Sequence, residues 1–375
     1  MIPTRRIRVL YLIDAVADGA GGAERFAVGL ALNLPPDEFE VTMCSTRFVE
    51  PEVAARLRAF GIGQLHLNRR SSYHLRPFSR LVSTIRRERF DVLHAHMFGS
   101  NLWGTLIGRA TRIPVTIAHE HTWSYDGNRL RVWLDGRVIG RLATRFVAVS
   151  SEDARRMVEI ERVPAGKVIV MPNAYVPHLS PPRPVDLRGE LELGPDTPIL
   201  MAVAVLRPQK ALSVLLEAHS KLLAVDPNVH LVLVGDGPCR AELEALTDEL
   251  RLRERVHFLG YRGDVDQLLR SAQVAALSSD YEGMPLVVFE CMANMVPLVA
   301  TAVGGLSDII ESGRNGVLVP ARDPAALADA IARLLADPEQ RRTLAAAAAL
   351  KLPEFTIEST ARRYGALYKE LLAEA

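Results

Sequence analysis

The sequence predicts an α/β protein built from two doubly wound parallel sheets, and three observations predict it. A chain of 375 residues is long for one hydrophobic core and suits two domains. Short apolar runs alternate with helix-like runs along both halves, the pattern of parallel strands joined by crossover helices. Between the halves, residues 176–198 hold Pro177, Pro181, Pro182, Pro184, Pro195 and Pro198. Proline donates no ladder hydrogen bond, so this stretch reads as a connector. The expected division is a first domain over 1–175, a linker over 176–197, a second domain over 198–356, and a final amphipathic helix over 357–375.

Taken in order, residues 8–13 read as a first strand, and Gly21-Gly22-Ala23-Glu24-Arg25 then opens an apolar helix. Glycines let a backbone approach a phosphate closely, and a helix N-terminus favours its charge. Residues 91–96 and 113–121 are strand-like runs that end in His94-Ala95-His96 and His119-Glu120-His121. Residues 147–150 and 168–174 complete the first half. In the second half, residues 203–210 form a strand running into a basic loop. Residues 231–237 and 258–260 are strand ends carrying Gly235 and leading to Tyr261, and Val274–Leu277 is a further apolar strand. The alanine-rich residues 344–350 are a strong helix former, and no internal repeat is present.

Charge is nearly balanced, at +1 overall, but not locally. Residues 1–172 carry 25 Lys and Arg against 17 Asp and Glu, and the remainder carries 20 against 27. A basic first half and an acidic second half point to an anionic partner or surface for the first half; no nucleic-acid partner is expected. Cys44, Cys239 and Cys291 have no paired spacing, which suits a reducing, cytoplasmic compartment. Arg5, Arg6 and Arg8 precede a short apolar run, but Asp14 follows soon after and no small-residue cleavage site is seen, so a strand is expected rather than a signal peptide. No apolar run reaches membrane-spanning length.

The chemistry concentrates in Ser279-Asp280-Tyr281-Glu282-Gly283-Met284-Pro285-Leu286-Val287-Val288-Phe289-Glu290. Pro285 suits the first turn of a helix, where its missing N–H costs nothing. Glu282 then lies in the loop before the helix, and Glu290 about one and a half turns inside it. The loop amides point beyond the strand end. A carboxylate accepts two hydroxyls, so this pair with amide donors suits a polyhydroxylated molecule. Arg207 can fork two phosphate oxygens, and Lys210 adds a point charge.

The Glu-x₇-Glu spacing, with the other runs in the same order, resembles the retaining group 1 glycosyltransferases (family four, GT-B fold). The resemblance covers nearly the whole chain. It implies two Rossmann-like domains facing across a cleft, with the last helix returning to the first domain. The second domain would hold a nucleotide-sugar, UDP- or GDP-linked, and the first an acceptor such as a lipid-linked or envelope glycan precursor. Glu290 would take the ribose hydroxyls. Glu282, the amides of Gly283, Met284 and Leu286, and the intervening Pro285 would meet the sugar, with Gly235 and Tyr261 on the donor side. Arg207, Lys210 and the Gly21–Gly22 turn would meet the diphosphate. Transfer would proceed with retention and without an obligatory metal. The sequence departs from the commonest family pattern at Val205, where an arginine is usual, and at Ala211, where a glycine is usual; Arg207, two residues on and on the same face of an extended segment, is the expected substitute.

His121 best matches the family's strand-end histidine beside the transferred sugar, with His119 the alternative; His96 is placed on the acceptor wall and His94 in the interior. The two His-x-His pairs also have spacing that could bind zinc. Asp264-Val265-Asp266 precedes an apolar helix and is read as a cap. Residues 127–146 read as one helix with Leu130, Leu134, Val138 and Leu142 on a stripe and Arg137, Arg141 and Arg145 on another, near Trp133. That stripe fits an anionic membrane surface or a core-facing helix with a solvated basic back. A catalytically silent binding or scaffold subunit and a hydrolase or phosphorylase on a similar fold are the other readings; intact Glu282, Glu290 and Lys210 oppose the first, and no extra phosphate-binding cluster supports the phosphorylase.

Overall fold

The computed structural model describes residues 5–17, 21–71, 74–122, 128–178 and 184–375. The chain divides into two compact units, Met1–Val176 with Phe355–Ala375, and Pro177–Glu354. In the first, β1 (Ile7–Val16), β2 (Phe39–Val49), β3 (Gly63–His66), β4 (Val92–His96), β5 (Val115–Glu120), β6 (Arg145–Ala148) and β7 (Val168–Val170) form one sheet in the order β3-β2-β1-β4-β5-β6-β7. In the second, β8 (Ile199–Val203), β9 (His230–Val234), β10 (Val256–Gly260), β11 (Val274–Leu277), β12 (Leu298–Thr301) and β13 (Val317–Val319) are ordered β10-β9-β8-β11-β12-β13. The strand pairs are parallel throughout. Each order turns back once, at β1/β4 and at β8/β11, and ligands of such sheets bind beyond the strand ends at that point.

Parallel sheets covered by helices on both faces need strands apolar on both sides, and β9, β11 and β12 are buried along their whole length. In the first unit the period of two assigns different work to each face. Leu93 and Ala95 of β4 join Leu10, Leu12, Leu81, Ile85 and Ile107 in an apolar core. His94 and His96 face the other way, against the helices Gly22–Asn33 and Ile357–Glu374. Gly29 makes that second layer possible: a Cβ there would stand 2.7 Å from Val176 and 3.2 Å from Ile357. The chain leaves and re-enters this unit side by side, with the Tyr175 amide donating to the Phe355 carbonyl at 2.7 Å.

Three local expectations change. Residues 127–146 are not one helix. Gly127 lies outside the described residues, Arg129–Leu134 is an α-helix, Asp135–Ile139 is a π-turn, and Arg145 and Phe146 belong to β6. The π-turn breaks the apolar stripe, and Leu130 and Trp133 are exposed while Asp135 is buried. Strand character ends at Val203, so Arg207 lies in a loop before the 3₁₀ turn Pro208–Lys210, though its own backbone is extended (φ −123°, ψ 157°). Asp264 occupies the N-cap of Val265–Leu269 without a side-chain capping bond; its carboxylate instead takes a two-pronged pair from Arg262 at 2.8 and 2.7 Å. A fixed bidentate guanidinium outcompetes a single amide.

The Tyr368 hydroxyl joins the Tyr11 hydroxyl at 3.1 Å and His94 Nδ1 at 2.7 Å, all buried. Tyr368→Phe therefore orphans two buried polar groups and should lower the unfolding free energy by about 1–3 kcal/mol. Urea unfolding of the variant beside wild type checks this; unchanged midpoint and slope would contradict it.

Candidate functional site

Beyond the carboxyl end of β11, a buried carboxylate is held by three neighbouring loops. Glu282 is 5% exposed. Its Oε1 accepts from Lys210 Nζ at 2.6 Å and from Ser279 Oγ at 2.5 Å. The Lys210 loop is tied to the same strand end: Ser278 Oγ donates to the Lys210 carbonyl at 2.9 Å, and the Asp280 amide to the Gln209 carbonyl at 2.9 Å. A third loop follows β12. Thr301 Oγ1 donates to the Ser279 carbonyl at 2.7 Å, and the Gly305 amide to the Gly283 carbonyl at 2.9 Å. Gly304, at φ +52°, passes so close that a Cβ would stand 1.7 Å from the Glu282 carbonyl oxygen, which only glycine tolerates.

Pro285 is extended (φ −70°, ψ 133°) and caps the helix Leu286–Ala293 rather than entering its first turn. Glu290, the fifth residue of that helix, is 3% exposed, with His178 Nε2 3.5 Å from its Oε1. The loop residues Gly283 and Met284 are buried, as is Leu286. Gly235 has φ +129°, and a Cβ there would stand 1.9 Å from the Ala204 carbonyl oxygen; it packs the β9 loop onto the β8 loop. Its amide donates to the Gly260 carbonyl at 2.8 Å, and the adjacent Tyr261 is exposed. Lys210 and Glu282 are thus in direct contact, whereas the exposed Arg207 makes no side-chain bond to any of these residues. The roles of Ser279, Thr301 and His178 were not assigned from the sequence; the serine pair at a strand end and the Gly304–Gly305 pair after β12 were the available signals.

In the first unit, Gly22 begins the helix Gly22–Asn33 and Gly21 is extended before it. The Glu24 carboxylate already folds back there, 2.8 Å from where a Gly21 Cβ would stand, as in a capping box. The four strand-end histidines form a stack: His94–His96 centroids are 4.3 Å apart and His119–His121 4.0 Å. His121 Nδ1 donates to Asn173 Oδ1 at 3.3 Å, so its Nε2 carries the lone pair and accepts from His96 Nδ1 at 3.0 Å. His119 Nδ1 meets the Tyr364 hydroxyl at 3.4 Å. His94, His96 and His119 are fully buried and His121 is 5% exposed. His96 therefore lines no open wall, and of the His119/His121 alternatives His121 is the one nearer the surface. One ring nitrogen from each of His94, His96 and His119 lies within 4.8 Å of the others. Their ring planes differ by only 14–39°, so the in-plane lone pairs run alongside one another rather than converging.

Next to this stack, Arg131 reaches Glu120 at 3.4 Å and Asp135 at 3.6 Å, with its guanidinium 4.9 Å from the Phe98 ring centre. Burial pushes Glu120 up to about 8, against the pull of Arg131, and Asp135 up to about 7. This cluster depends on the π-turn and was not legible in the sequence.

The chain matches the family model "Glycosyl transferases group 1" over residues 186–351 and "Glycosyltransferase Family 4" over residues 20–178. It is 30% identical over 308 residues to the D-inositol 3-phosphate glycosyltransferase of Frankia alni, covering 76% of this chain and 75% of that one. The chain belongs to the group 1 glycosyltransferases of family four. The Nocardia farcinica D-inositol 3-phosphate glycosyltransferase is 32% identical over 292 residues, 72% of this chain but only 64% of that protein. An Escherichia coli UDP-Gal:α-D-GlcNAc-diphosphoundecaprenol α-1,3-galactosyltransferase is 23% identical over 336 residues, 84% and 85% of the two chains. Among solved structures, Anabaena HepE in complex with UDP and glucose superposes with a TM-score of 0.84 at 21% identity, over 97% of this chain and 100% of that one; that likeness concerns the GT-B fold alone.

Burial pushes His121 down to about 4, opposed by its bond to Asn173, and drives His94, His96 and His119 far down, with neighbouring histidines adding to it. The folded rings stay neutral where unfolded ones protonate below about 6.5. Stability should therefore be insensitive to these groups above about pH 6.5 and fall as pH drops from there toward about 4. Glu120 and Asp135, raised in the folded state, act in the opposite sense over the same range, so the histidine share is read by difference: in thermal melts from pH 7.5 to 4.5, His94→Gln/His96→Gln should lose less stability on acidification than wild type. An identical slope in the variant would refute the stack as its source.

Proposed function

We propose that this glycosyltransferase moves a hexosyl group from a UDP- or GDP-sugar to a hydroxyl of a lipid-linked or cell-envelope glycan precursor, with retention of configuration. The observation that carries the reading is the buried Glu282 carboxylate, held by Lys210 and Ser279 at the mouth of a helix that presents Glu290. In this reading Glu290 accepts the ribose hydroxyls. Glu282 and the amides of Gly283, Met284 and Leu286 hold the sugar, while Gly235 and Tyr261 border the nucleotide. Lys210 is anchored by the carboxylate yet 18% exposed, and together with Arg207 it neutralises the leaving diphosphate. Pre-placed cations and amides stabilise the developing charge without reorganising. Ser279 fixes one Glu282 oxygen, so Glu282 orients and stabilises rather than attacks. The departing phosphate then takes the acceptor proton as the acceptor oxygen bonds the anomeric carbon on the same face.

On the first unit, Gly21–Gly22 is assigned to phosphate and His121 to the sugar and acceptor. No metal is required in this scheme, and the near-parallel histidine rings support that reading. An acceptor on a membrane is supported by the exposed Leu130, Trp133, Arg137 and Arg141, which recur every three or four residues and pair apolar with basic side chains. The lipid-diphosphate named for the Escherichia coli relative is of the same kind. Among the described residues no helix is long and apolar enough to cross a membrane, so attachment would be peripheral, on the cytoplasmic face.

Glu290→Ala should weaken donor binding by about 1.5–3 kcal/mol, the worth of a charge-assisted hydrogen bond, whereas Glu282→Ala should mainly depress turnover. Calorimetric titration with UDP- and GDP-sugars, beside steady-state rates, separates the two; equal donor affinity in Glu290→Ala and wild type would remove the ribose assignment. No donor bound or hydrolysed across the panel would instead favour a silent scaffold subunit.

If Arg207 replaces the arginine missing at Val205, Arg207→Ala should cut turnover at least about tenfold, equivalent to about 1.4 kcal/mol of transition-state stabilisation. Chelators should leave wild-type turnover unchanged. Wild-type rates in Arg207→Ala would make the arginine a surface residue, and loss of activity with chelator would overturn the metal-free scheme.

A further inference from the structure

A cavity of about 280 Å³ lies in the first unit, away from every residue discussed above as part of the transfer site. It is lined by Arg109 and Arg112 at the end of the helix Phe98–Thr111, by Thr116 and Thr144, and by Lys167. Its position follows from topology. Ile113 and Pro114 lead into β5, Thr144 into β6 and Lys167 into β7, so the cavity sits at the amino ends of these strands. His121 lies past the carboxyl end of β5, about 20 Å away at roughly 3.3 Å per strand residue. Ligands of the transfer reaction belong at carboxyl ends, so this cavity is a second place.

Its charge is one-signed: the lining has three cations and no carboxylate. Lys167 Nζ donates to the Arg141 and Ala143 carbonyls at 2.6 and 2.8 Å, which fixes the ammonium and leaves its third N–H. Burial lowers its pKa, and Arg145 lowers it further, so an anion nearby would relieve the site. Arg145 itself is taken up by Glu374 at 3.2 Å. Arg109 and Arg112 are exposed and have no carboxylate partner among the described residues. Both adjoin a helix C-terminus, where the helix dipole alone accounts for one cation. It does not account for a lysine brought in from the β7 side, nor for two threonines at the same cavity.

We propose that this cavity binds a phosphate-class anion, either a free diphosphate or the phosphate headgroup of a lipid. Forked guanidiniums and an ammonium are the donors that phosphate oxygens select, and the volume admits a group of that size. The site does not rest on the transfer mechanism proposed above.

The test uses the full chain carrying Arg207→Ala, with Lys210 kept because it pairs the buried Glu282 carboxylate; diphosphate held beside Lys210 would be indifferent to a change at Arg109 and Arg112. Sodium diphosphate is titrated calorimetrically against sodium chloride at equal ionic strength. In parallel, phosphatidylcholine vesicles with and without phosphatidic acid are sedimented with the protein. Each is repeated after adding Arg109→Gln/Arg112→Gln, two exposed positions whose change should leave the melting temperature in place. Saturable diphosphate binding weakened at least tenfold by the arginine pair supports a free-phosphate ligand. Capture by phosphatidic acid vesicles alone, lost with the same pair, supports a headgroup. Absence of both, or either one unaffected by the arginine pair, overturns the proposal.

Discussion

A carboxylate buried at the end of β11 organises the second unit. Glu282 cannot sit there without partners, because an unpaired buried charge costs several kcal/mol. Lys210 and Ser279 supply the bonds, and each brings a loop with it. The lysine fixes the segment after β8. The serine, held through its own carbonyl by Thr301, fixes the segment after β12, and Gly304 closes that approach to within the space a hydrogen leaves. The ends of β8, β11 and β12 are thereby tied together around the Glu282 loop. A site built this way is rigid before any ligand arrives, which is what electrostatic stabilisation of a leaving group demands.

The first unit solves the opposite problem. Its sheet turns one face into a layer of histidines and tyrosines that must be satisfied without water. The final helix does part of this through Tyr368 and Tyr364, whose hydroxyls reach Nδ1 of His94 and His119, while Nε2 of His94, His96 and His119 has no partner; Gly29 and Gly365 let the helix approach closely enough. The same layer orders a chain of donors, His96 to His121 to Asn173, that fixes which nitrogen of His121 carries a proton. The neutral rings keep the strand ends uncharged next to Glu120 and Arg131.

Much of this was legible because it rests on local pattern. The alternation of apolar and amphipathic runs yields parallel strands and crossover helices whatever their neighbours, and Glu282, Glu290 and Lys210 stand out by spacing from a strand end. Misreadings arose where two local accounts competed. Asp264 has the sequence of a cap, but Arg262, two residues away, offers a stronger pair. Residues 127–146 have helical periodicity, but one inserted π-turn rotates Asp135 inward to Arg131 and turns Leu130 and Trp133 out.

By itself, then, the sequence determined the two-sheet α/β architecture, the order of its strands along the chain, and which carboxylates and lysine flank the ends of β8 and β11, since these follow from periodicity and from loop chemistry within a few residues. Tertiary structure alone decided that Ser279 and Lys210 share one oxygen of Glu282, that four histidines from two strands stack beneath the last helix, and that Arg109, Arg112 and Lys167 surround one cavity. Those relations join His96 to His121 across 25 positions, Lys210 to Glu282 across 72 and His119 to Tyr364 across 245. Their geometry is set by strand register and close packing, and neither is written in any local window of the chain.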